Sequence, residues 1–116
     1  MKRLTNTSKI LAAAAMAAGL SMSVQAYAVD AAAAQALARQ NGCLKCHGID
    51  KKKDGPSYQE VAAKYKGKPD AESRLIHHIT SGEKAKFPDG HEEEHKIIKT
   101  KDEEKIKNLV QWILAQ

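Results

Sequence analysis

The feature that most constrains the fold of this chain is a five-residue run, Cys43-Leu44-Lys45-Cys46-His47, in the pattern Cys-x-x-Cys-His. This pattern is typical of c-type haem attachment. Two thiols three positions apart on one turn of chain can each bond to one vinyl group of the same haem, while the adjacent imidazole ligates the iron. The motif predicts one covalently attached haem c, bound through Cys43 and Cys46, with His47 as the proximal ligand.

The same pair of cysteines has other interpretations. Outside the cytoplasm, a Cys-x-x-Cys pair also forms thioredoxin-like redox dithiols, local disulfides or part of a zinc site. A redox dithiol is expected in a βαβ context, of which the sequence gives no sign. Zinc needs four ligands, and the chain has only these two cysteines, so distant histidines would have to complete the site. We favour haem attachment.

The first 28 residues have the features of a secretory signal. A positively charged start precedes an uncharged apolar stretch over residues 10–22, and Ala26-Tyr27-Ala28 has the small-x-small pattern of a cleavage site. The apolar stretch is shorter than the ~20 residues of a membrane-spanning helix. We predict a cleaved signal at 1–28 and a single domain at 29–116, located in the periplasm without stable membrane insertion. An uncleaved anchor or an ordinary core helix is the alternative.

The charge balance argues against a nucleic-acid partner. The formal net charge is +5, which alone suggests an anionic partner. Residues 1–28 hold three basic side chains and no acidic one, so the rest of the chain carries 16 basic and 14 acidic side chains. The predicted mature protein is therefore close to neutral, and we expect no nucleic-acid binding.

The predicted mature domain has little material for a hydrophobic core. Its aromatic residues are Tyr58, Tyr65, Phe87 and Trp112. Chains of this size bury too little surface to be very stable and are commonly helped by a disulfide, a metal or another added component. A bound haem would supply the missing part of the core.

Helix signals dominate the rest of the chain. The predicted helices cover residues 31–40, 57–66, 71–81 and the segment after Thr100. Their predicted N-terminal caps are Asp30, Ser57 in a capping box with Glu60, Asp70, and Thr100 in a capping box with Glu103. No stretch alternates cleanly enough to predict a strand. We expect an all-α fold with long loops at 43–56 and 83–99, and long loops of this kind are often functional.

Several stretches besides the cysteine motif carry a family resemblance. They are Ala36–Gly42, Gly48-Ile49-Asp50, Gly55-Pro56-Ser57-Tyr58, Val61–Tyr65 and Leu109–Leu114. With them, the chain resembles the short single-haem class I c-type cytochromes of bacteria. The resemblance implies a cytochrome c-like fold of about four helices around one haem, with the last helix crossing the first. It also implies that the Pro56 carbonyl accepts a hydrogen bond from the second nitrogen of His47, which fixes that ring.

The chain departs from this family at the sixth ligand of the iron. Most members use a methionine in the loop before the last helix, but here the methionines are Met1, Met16 and Met22, all in the predicted signal. The corresponding loop carries two histidines, His91 and His95. Counting forward from Pro88 favours His91, whereas counting back from Trp112 favours His95. We prefer His95, with His91 as the alternative, because the last helix is the more rigid reference.

Ligation by two histidines predicts an electron carrier. An iron with two strong protein ligands leaves no position for a substrate, and His in place of Met lowers the reduction potential. We therefore predict a periplasmic carrier of one electron at low potential, not an enzyme, that acts as a monomer with redox protein partners. The alternatives are a five-coordinate haem that binds a small gas or peroxide, and a haem subunit of a periplasmic oxidoreductase.

Two further features have an open interpretation. In the resemblance, His78 falls where a basic residue often contacts a haem propionate, and an ordinary surface histidine is an equal alternative. The run Lys51-Lys52-Lys53 is most simply a solvated loop, and its functional alternative is docking to an acidic partner.

Overall fold

The computed structural model describes Gly19 and residues 28–116. These residues form five helices: α1 Ala31–Gln40, α2 Cys43–Cys46, α3 Tyr58–Tyr65, α4 Ala71–Thr80 and α5 Glu103–Leu114. Two short strands, β1 Lys84–Lys86 and β2 Glu92–Glu94, lie between α4 and α5. The all-α prediction is confirmed. The predicted signal at 1–28 lies almost wholly outside the described residues, so its cleavage stays a prediction.

Helix α5 is the centre of the fold, and α1, α3 and α4 all pack against it. Its apolar stripe is buried, with Leu109 and Val110 almost completely excluded from solvent. Helix α1 contributes the small buried residues Ala34 and Ala38, and small side chains at a contact allow helix axes to approach closely. The last helix therefore packs tightly against the first.

The start of α1 is fastened to α5 by one asparagine. The Asn108 side chain accepts a hydrogen bond from the Asp30 amide at 2.9 Å and donates one to the Asp30 carbonyl, also at 2.9 Å. The Asp30 carbonyl also accepts from the Ala34 amide at 3.0 Å, so Asn108 adds a second bond there and gives the Asp30 amide a partner. The Asp30 carboxylate also accepts from the Ala33 amide, as predicted for an N-cap.

The other predicted caps had mixed outcomes. Ser57 and Glu60 form the predicted capping box at α3, with both reciprocal bonds present. At α4, Asp70 occupies the N-cap position without a side-chain capping bond. The predicted box of Thr100 with Glu103 is wrong, because α5 begins later and Asp102 is its N-cap, accepting from the amides of residues 104 and 105. An aspartate is favoured there, since its charge complements the helix dipole.

The strands correct the prediction of a long structureless loop at 83–99. Strands β1 and β2 pair antiparallel as a hairpin, with Lys84 opposite Glu94 and Lys86 opposite Glu92. Opposite charges in facing positions stabilise such a pair. Gly90 turns the tip with a φ of 91°, a value that glycine adopts without strain. The predicted loop at 43–56 also contains the single helical turn α2.

The helices in the described part of the chain are all too short or too polar to cross a membrane.

Candidate haem-binding site

A cavity of about 750 Å³ opens between α2, α4, the hairpin and α5. Its volume lies within the roughly 300–1,000 Å³ of typical ligand sites. Leu75, Ile98, Leu109 and Val110 form an apolar part of its lining. Six of the seven residues predicted for the site also line it: Cys43, Cys46, His47, Pro56, His78 and His95. His91 is not among the lining residues.

Residues 42–58, which we call the attachment segment, form one side of the cavity. Gly42 starts α2 with a φ of 68°, and the His47 amide closes the turn on the Cys43 carbonyl at 2.9 Å. Cys43 and Cys46 are half-buried and are not joined to each other in a disulfide. Burial raises the pKa of the Cys43 thiol, which keeps it protonated at neutral pH. Both thiols and the imidazole border the same space.

The His47 ring is fixed by the backbone that follows it. Its Nδ1 lies 2.7 Å from the Pro56 carbonyl oxygen, and because a carbonyl only accepts, Nδ1 carries the proton and donates. The other nitrogen, Nε2, is left as the free lone pair. Burial lowers the pKa of His47, so the ring is neutral at physiological pH. Neutral imidazole is the form that ligates a metal.

Gly55 is a site residue that the sequence reasoning missed. A Cβ at this position would lie 2.5 Å from Cε1 and 2.8 Å from Nδ1 of His47. The Gly55 amide also donates to the Cys46 carbonyl at 2.8 Å. The backbone therefore packs directly on the imidazole, and only glycine leaves room for it. The glycine directly before Pro56 was the sequence feature from which this close packing could have been predicted.

Tyr58 supports the same ring by stacking. Its ring stacks on His47 with centroids 5.3 Å apart and planes at 16°. Trp112 of α5 meets Tyr58 edge-on at 5.5 Å, an arrangement that aromatic pairs favour. Burial raises the pKa of Tyr58 far above its usual value, so its hydroxyl stays protonated. In the sequence, Tyr58 contributed to the family resemblance but was not predicted to be a site residue.

Residues 83–99, which we call the ligand loop, form the facing side of the cavity. His95 follows directly after β2, and its ring centroid lies 6.2 Å from that of His47. Its Nδ1 is 3.0 Å from the Lys96 carbonyl oxygen, which leaves Nε2 free. Burial and the neighbouring His78 lower the pKa of His95. Like His47, it offers a neutral imidazole.

The segment around His95 is held by three long-range hydrogen bonds. The amides of His95 and Ile98 donate to the carbonyls of Glu83 and Ile79, each at 2.9 Å. The Lys99 amide donates to the side-chain oxygen of Asn41 at 3.0 Å. Asn41 is only 4% exposed although it is polar. Sequence reasoning treated it as the end of α1, because its partner lies 58 positions away.

His91 lies at the hairpin tip, apart from the other histidines. Its Nδ1 contacts Asp89, and its Nε2 lies 3.1 Å from Glu93. Phe87 stacks on its ring with centroids 4.5 Å apart. Hydrogen bonds to the Asp89 and Glu93 carboxylates raise the pKa of His91, which favours its charged form. Both ring nitrogens are therefore occupied by neighbours of the loop itself.

The remaining predicted residues have different surroundings. His78 lines the cavity with its ring centroid 4.2 Å from that of His95, and its Nδ1 lies 2.6 Å from the Glu83 carboxylate. Within the lysine run, Lys53 donates to the Leu44 carbonyl at 2.8 Å. This bond joins two parts of the attachment segment. Lys52 lines the cavity.

The donor groups fit a covalently bound haem. Two imidazoles that ligate one metal from opposite sides have ring centroids about 6 Å apart, since each metal–nitrogen bond is about 2 Å and each nitrogen lies about 1 Å from its centroid. The observed separation is 6.2 Å. Within the described residues, no three His, Cys, Asp or Glu side chains converge as ligands of a bare metal ion. The zinc interpretation therefore has no ligand set there.

The comparison with known families decides the question of the fold. The family description Cytochrome c matches residues 31–116. The chain belongs to the cytochrome c family. As a member of this family, the chain is an electron-transfer haem protein with one covalently attached haem c. This membership confirms the predicted covalent haem c, while attachment through Cys43 and Cys46 and ligation by His47 stay predictions.

Individual relatives of this cytochrome c agree with that assignment. Over 82 residues it is 30% identical to cytochrome c-551 of Pseudomonas aeruginosa, covering 71% of this chain and 75% of the relative. Over 79 residues it is 35% identical to cytochrome c-552 of Hydrogenobacter thermophilus, covering 68% and 76%. The match covers about three quarters of each relative.

Solved structures resemble this cytochrome c as well. The crystal structure of the class 1 cytochrome MtoD from Sideroxydans lithotrophicus ES-1 is 71% identical, with a TM-score of 0.74, covering 76% of this chain and 97% of that one. Cytochrome c552 of Nitrosomonas europaea is 30% identical, with a TM-score of 0.54, covering 69% and 95%. The fold of this chain is therefore that of a class I cytochrome c.

Proposed function

We propose that this cytochrome c is a periplasmic carrier of one electron, with His47 and His95 as the two axial ligands of its haem iron and a reduction potential below that of His/Met-ligated relatives. The observation that carries the proposal is the 6.2 Å separation of these two rings across the cavity. Both rings are neutral, and each has its Nδ1 held by a backbone carbonyl. Each can thus turn Nε2 toward the same metal.

The surroundings of the two loop histidines favour His95 over His91. His95 is half-buried beside the apolar lining of the cavity, and burial lowers its pKa. His91 is paired with two carboxylates that raise its pKa. Metal ligation by His91 would require it to leave both partners and lose a proton, whereas His95 needs neither step.

The low potential follows from the ligand set. The region that matches the family contains no methionine. Met/His ligation raises the potential of a cytochrome c, so a second imidazole in place of the thioether stabilises the ferric state. We expect a potential below that of Met-ligated relatives.

The protein's own groups keep the site rigid. When bound, the haem supplies the one-electron couple of its iron. The Pro56 carbonyl and the Gly55 backbone fix His47, and the Glu83 carbonyl fixes the backbone of His95. With both axial positions filled by protein, a substrate has no position at the iron. We therefore propose transfer of electrons between redox protein partners, by a monomer, and no catalysis.

The periplasmic location rests on the N-terminal pattern, an uncharged apolar stretch followed by a small-x-small site. We propose cleavage after Ala28 and a mature domain at 29–116. Intact-mass measurement of protein purified from a periplasmic fraction tests both, with the expected mass equal to the mature chain plus one haem. A mass that retains residues 1–28 would contradict cleavage.

The ligand assignment is tested by the ferric spin state of two matched variants, His95→Ala and His91→Ala. We expect electron paramagnetic resonance to find low-spin iron in the unmodified protein and in His91→Ala, and high-spin iron in His95→Ala. The reverse pattern would assign His91. Low-spin iron in both variants would exclude both histidines as the sole sixth ligand.

Carbon monoxide distinguishes the carrier from an open haem site. Added to reduced protein, it should barely change the Soret band, because the protein already fills the sixth position. An immediate shift of the band would instead indicate a five-coordinate haem that binds small gases or peroxide. In the ferric protein we also expect no far-red band of methionine–iron ligation.

A further inference from the structure

Glu83, at the base of the hairpin, collects three basic side chains of α4. Arg74 donates to both of its carboxylate oxygens, at 2.9 and 3.1 Å. His78 lies 2.6 Å from one of these oxygens, and His77 lies 3.4 Å from the other. The Glu83 carbonyl also accepts from the His95 amide. One residue thus links α4, the hairpin and the backbone of the proposed sixth ligand.

The site contains a third imidazole that could compete for the iron. His78 lines the same cavity as His47 and His95, and its ring centroid lies 4.2 Å from that of His95. Ring contacts join His47 to His95 and His95 to His78. His78 and His95 are imidazoles beside the same cavity, so both offer the same kind of donor to the iron. The iron selects one of them only if the other is restrained.

The carboxylate of Glu83 supplies such a constraint. It holds the Nδ1 of His78 at hydrogen-bond distance. One nitrogen of Arg74, Nη1, in turn donates to both oxygens of this carboxylate, and hydrogen bonds between charged groups are stronger than those between neutral ones. The Glu83 side chain is only 24% exposed. The His78 ring is therefore tied to the base of the hairpin, where, among the described residues, it has a ring contact with His95 and none with His47.

We propose that Glu83 is a positioning residue that restrains His78 and thereby makes His95 the sixth ligand of the iron. The inference rests on the proposed function, since it requires His95 to be that ligand. It adds that the choice between two adjacent imidazoles depends on the Arg74–Glu83–His78 chain of contacts. Without the carboxylate, His78 is free to turn toward the iron.

The test removes the preferred ligand and then the restraint. His95→Ala alone should be high-spin in the ferric state, because Glu83 holds His78. The double variant Glu83→Ala/His95→Ala should recover low-spin iron in most molecules through His78. Adding His78→Ala should return the iron to high spin. Glu92→Ala/His95→Ala is the matched control, since Glu92 lies on the same hairpin opposite Lys86 and should leave the iron high-spin.

The outcomes separate the two proposals. If His95→Ala is high-spin and the Glu83→Ala/His95→Ala double variant stays high-spin, the role of Glu83 is wrong while His95 as ligand stands. If His95→Ala is low-spin and becomes high-spin only when His78 is also removed, Glu83 does not restrain His78 and its role is wrong. His78→Ala alone then decides the proposed function, because it is low-spin if His95 is the ligand and high-spin if His78 is. If Glu92→Ala also restores low-spin iron, general loosening of the hairpin explains the effect and the role of Glu83 is wrong.

A second measurement leaves both His95 and His78 in place. Its result therefore does not depend on deleting a ligand from the loop. In Glu83→Ala alone, paramagnetic resonance should resolve two low-spin species, one for each histidine. Adding His78→Ala should reduce them to one. A single species identical to that of the unmodified protein would overturn the proposal.

Discussion

The two sides of the haem cavity are built in different ways. In the attachment segment, Cys43, Cys46, His47 and Pro56 lie within 14 consecutive residues, and the bonds that fix His47 come from that same stretch. In the ligand loop, His95 and the residues after it are held by Glu83, Ile79 and Asn41. The bonds of His47 stay within its own segment, whereas the loop around His95 combines its own bonds, from Lys96 and Glu83, with bonds to α4 and to the end of α1.

This difference decides how far each side can be recognised from the sequence. A segment that carries its own constraints can be identified from a short motif. A ligand held partly by distant residues cannot be located from its neighbours in sequence alone. Here a hairpin with facing charge pairs forms the loop, and the region that matches the family contains no methionine.

The largest effect is expected at Gly55, where the attachment segment has no spare room. In Gly55→Ala, the new methyl group would meet the His47 ring at 2.5 Å. Overpacking of this kind costs about 1–3 kcal/mol of unfolding free energy, and the ring must also shift from the Pro56 carbonyl. Chemical denaturation and the ferric spectrum should both change. Asp54→Ala, at the exposed neighbouring position, is the control, and equal effects of the two variants would contradict a steric cause.

Asn41 tests the corresponding support of the ligand loop. Asn41→Ala removes the partner of the Lys99 amide, and because Lys99 is exposed we expect the net loss of one hydrogen bond, about 0.5–1.5 kcal/mol. Hydrogen exchange should accelerate at the Lys99 amide, while the His47 amide in the attachment segment keeps its protection. The exposed neighbour Gln40 provides a control as Gln40→Ala. Uniform acceleration in both segments would show that the two sides are not independently supported.

The cap of α5 connects the ligand loop to the core helix. Asp102→Ala should lower the unfolding free energy by about 1 kcal/mol, because its carboxylate caps two amides of the first turn. Thr100→Ala should cost less, since the Thr100 hydroxyl accepts only from the Asp102 amide. Denaturant titrations of the two variants give the comparison directly. A larger loss in Thr100→Ala would restore the capping box predicted from sequence.

The smallest effect concerns the pH dependence of the hairpin tip. Hydrogen bonds from Asp89 and Glu93 raise the pKa of His91 in the folded state. The charged form thus stabilises the tip at pH values below the ordinary pKa of about 6.5, and this contribution is lost as the pH rises through the folded pKa. A proton NMR titration should find the His91 pKa above the ordinary value, and Asp89→Asn should lower it. An unchanged pKa in that variant would contradict the Asp89 contact.

The contrast between the two sides also explains what the sequence could predict. The attachment motif, the capping box at Ser57 and the apolar stripe of α5 depend on residues close in sequence, and the fold prediction drawn from them is confirmed. The hairpin was missed because three-residue strands such as Lys84–Lys86 are too short for an alternating pattern to be recognised. Their stability comes from pairing with residues 92–94.

The missed site residues have similar causes. The role of Glu83 could not be predicted from its neighbours in the polar loop, because its partners Arg74 and His78 lie on the preceding helix. Asn41 looked like a helix end, although its side chain anchors residue 99. At α5 the predicted cap was Thr100, whereas Asp102 is the N-cap because the helix begins at Glu103. In each case the deciding contact is tertiary or depends on where a helix begins.

The central claim is that an imidazole on the ligand loop, that of His95, is the sixth ligand of the iron. Near-infrared magnetic circular dichroism of the ferric protein tests it most directly, because the energy of the charge-transfer band reports the pair of axial ligands. We predict the band of two imidazoles in the unmodified protein and its loss in His95→Ala. A band of imidazole with thioether, or a two-imidazole band that survives in His95→Ala, would contradict the claim.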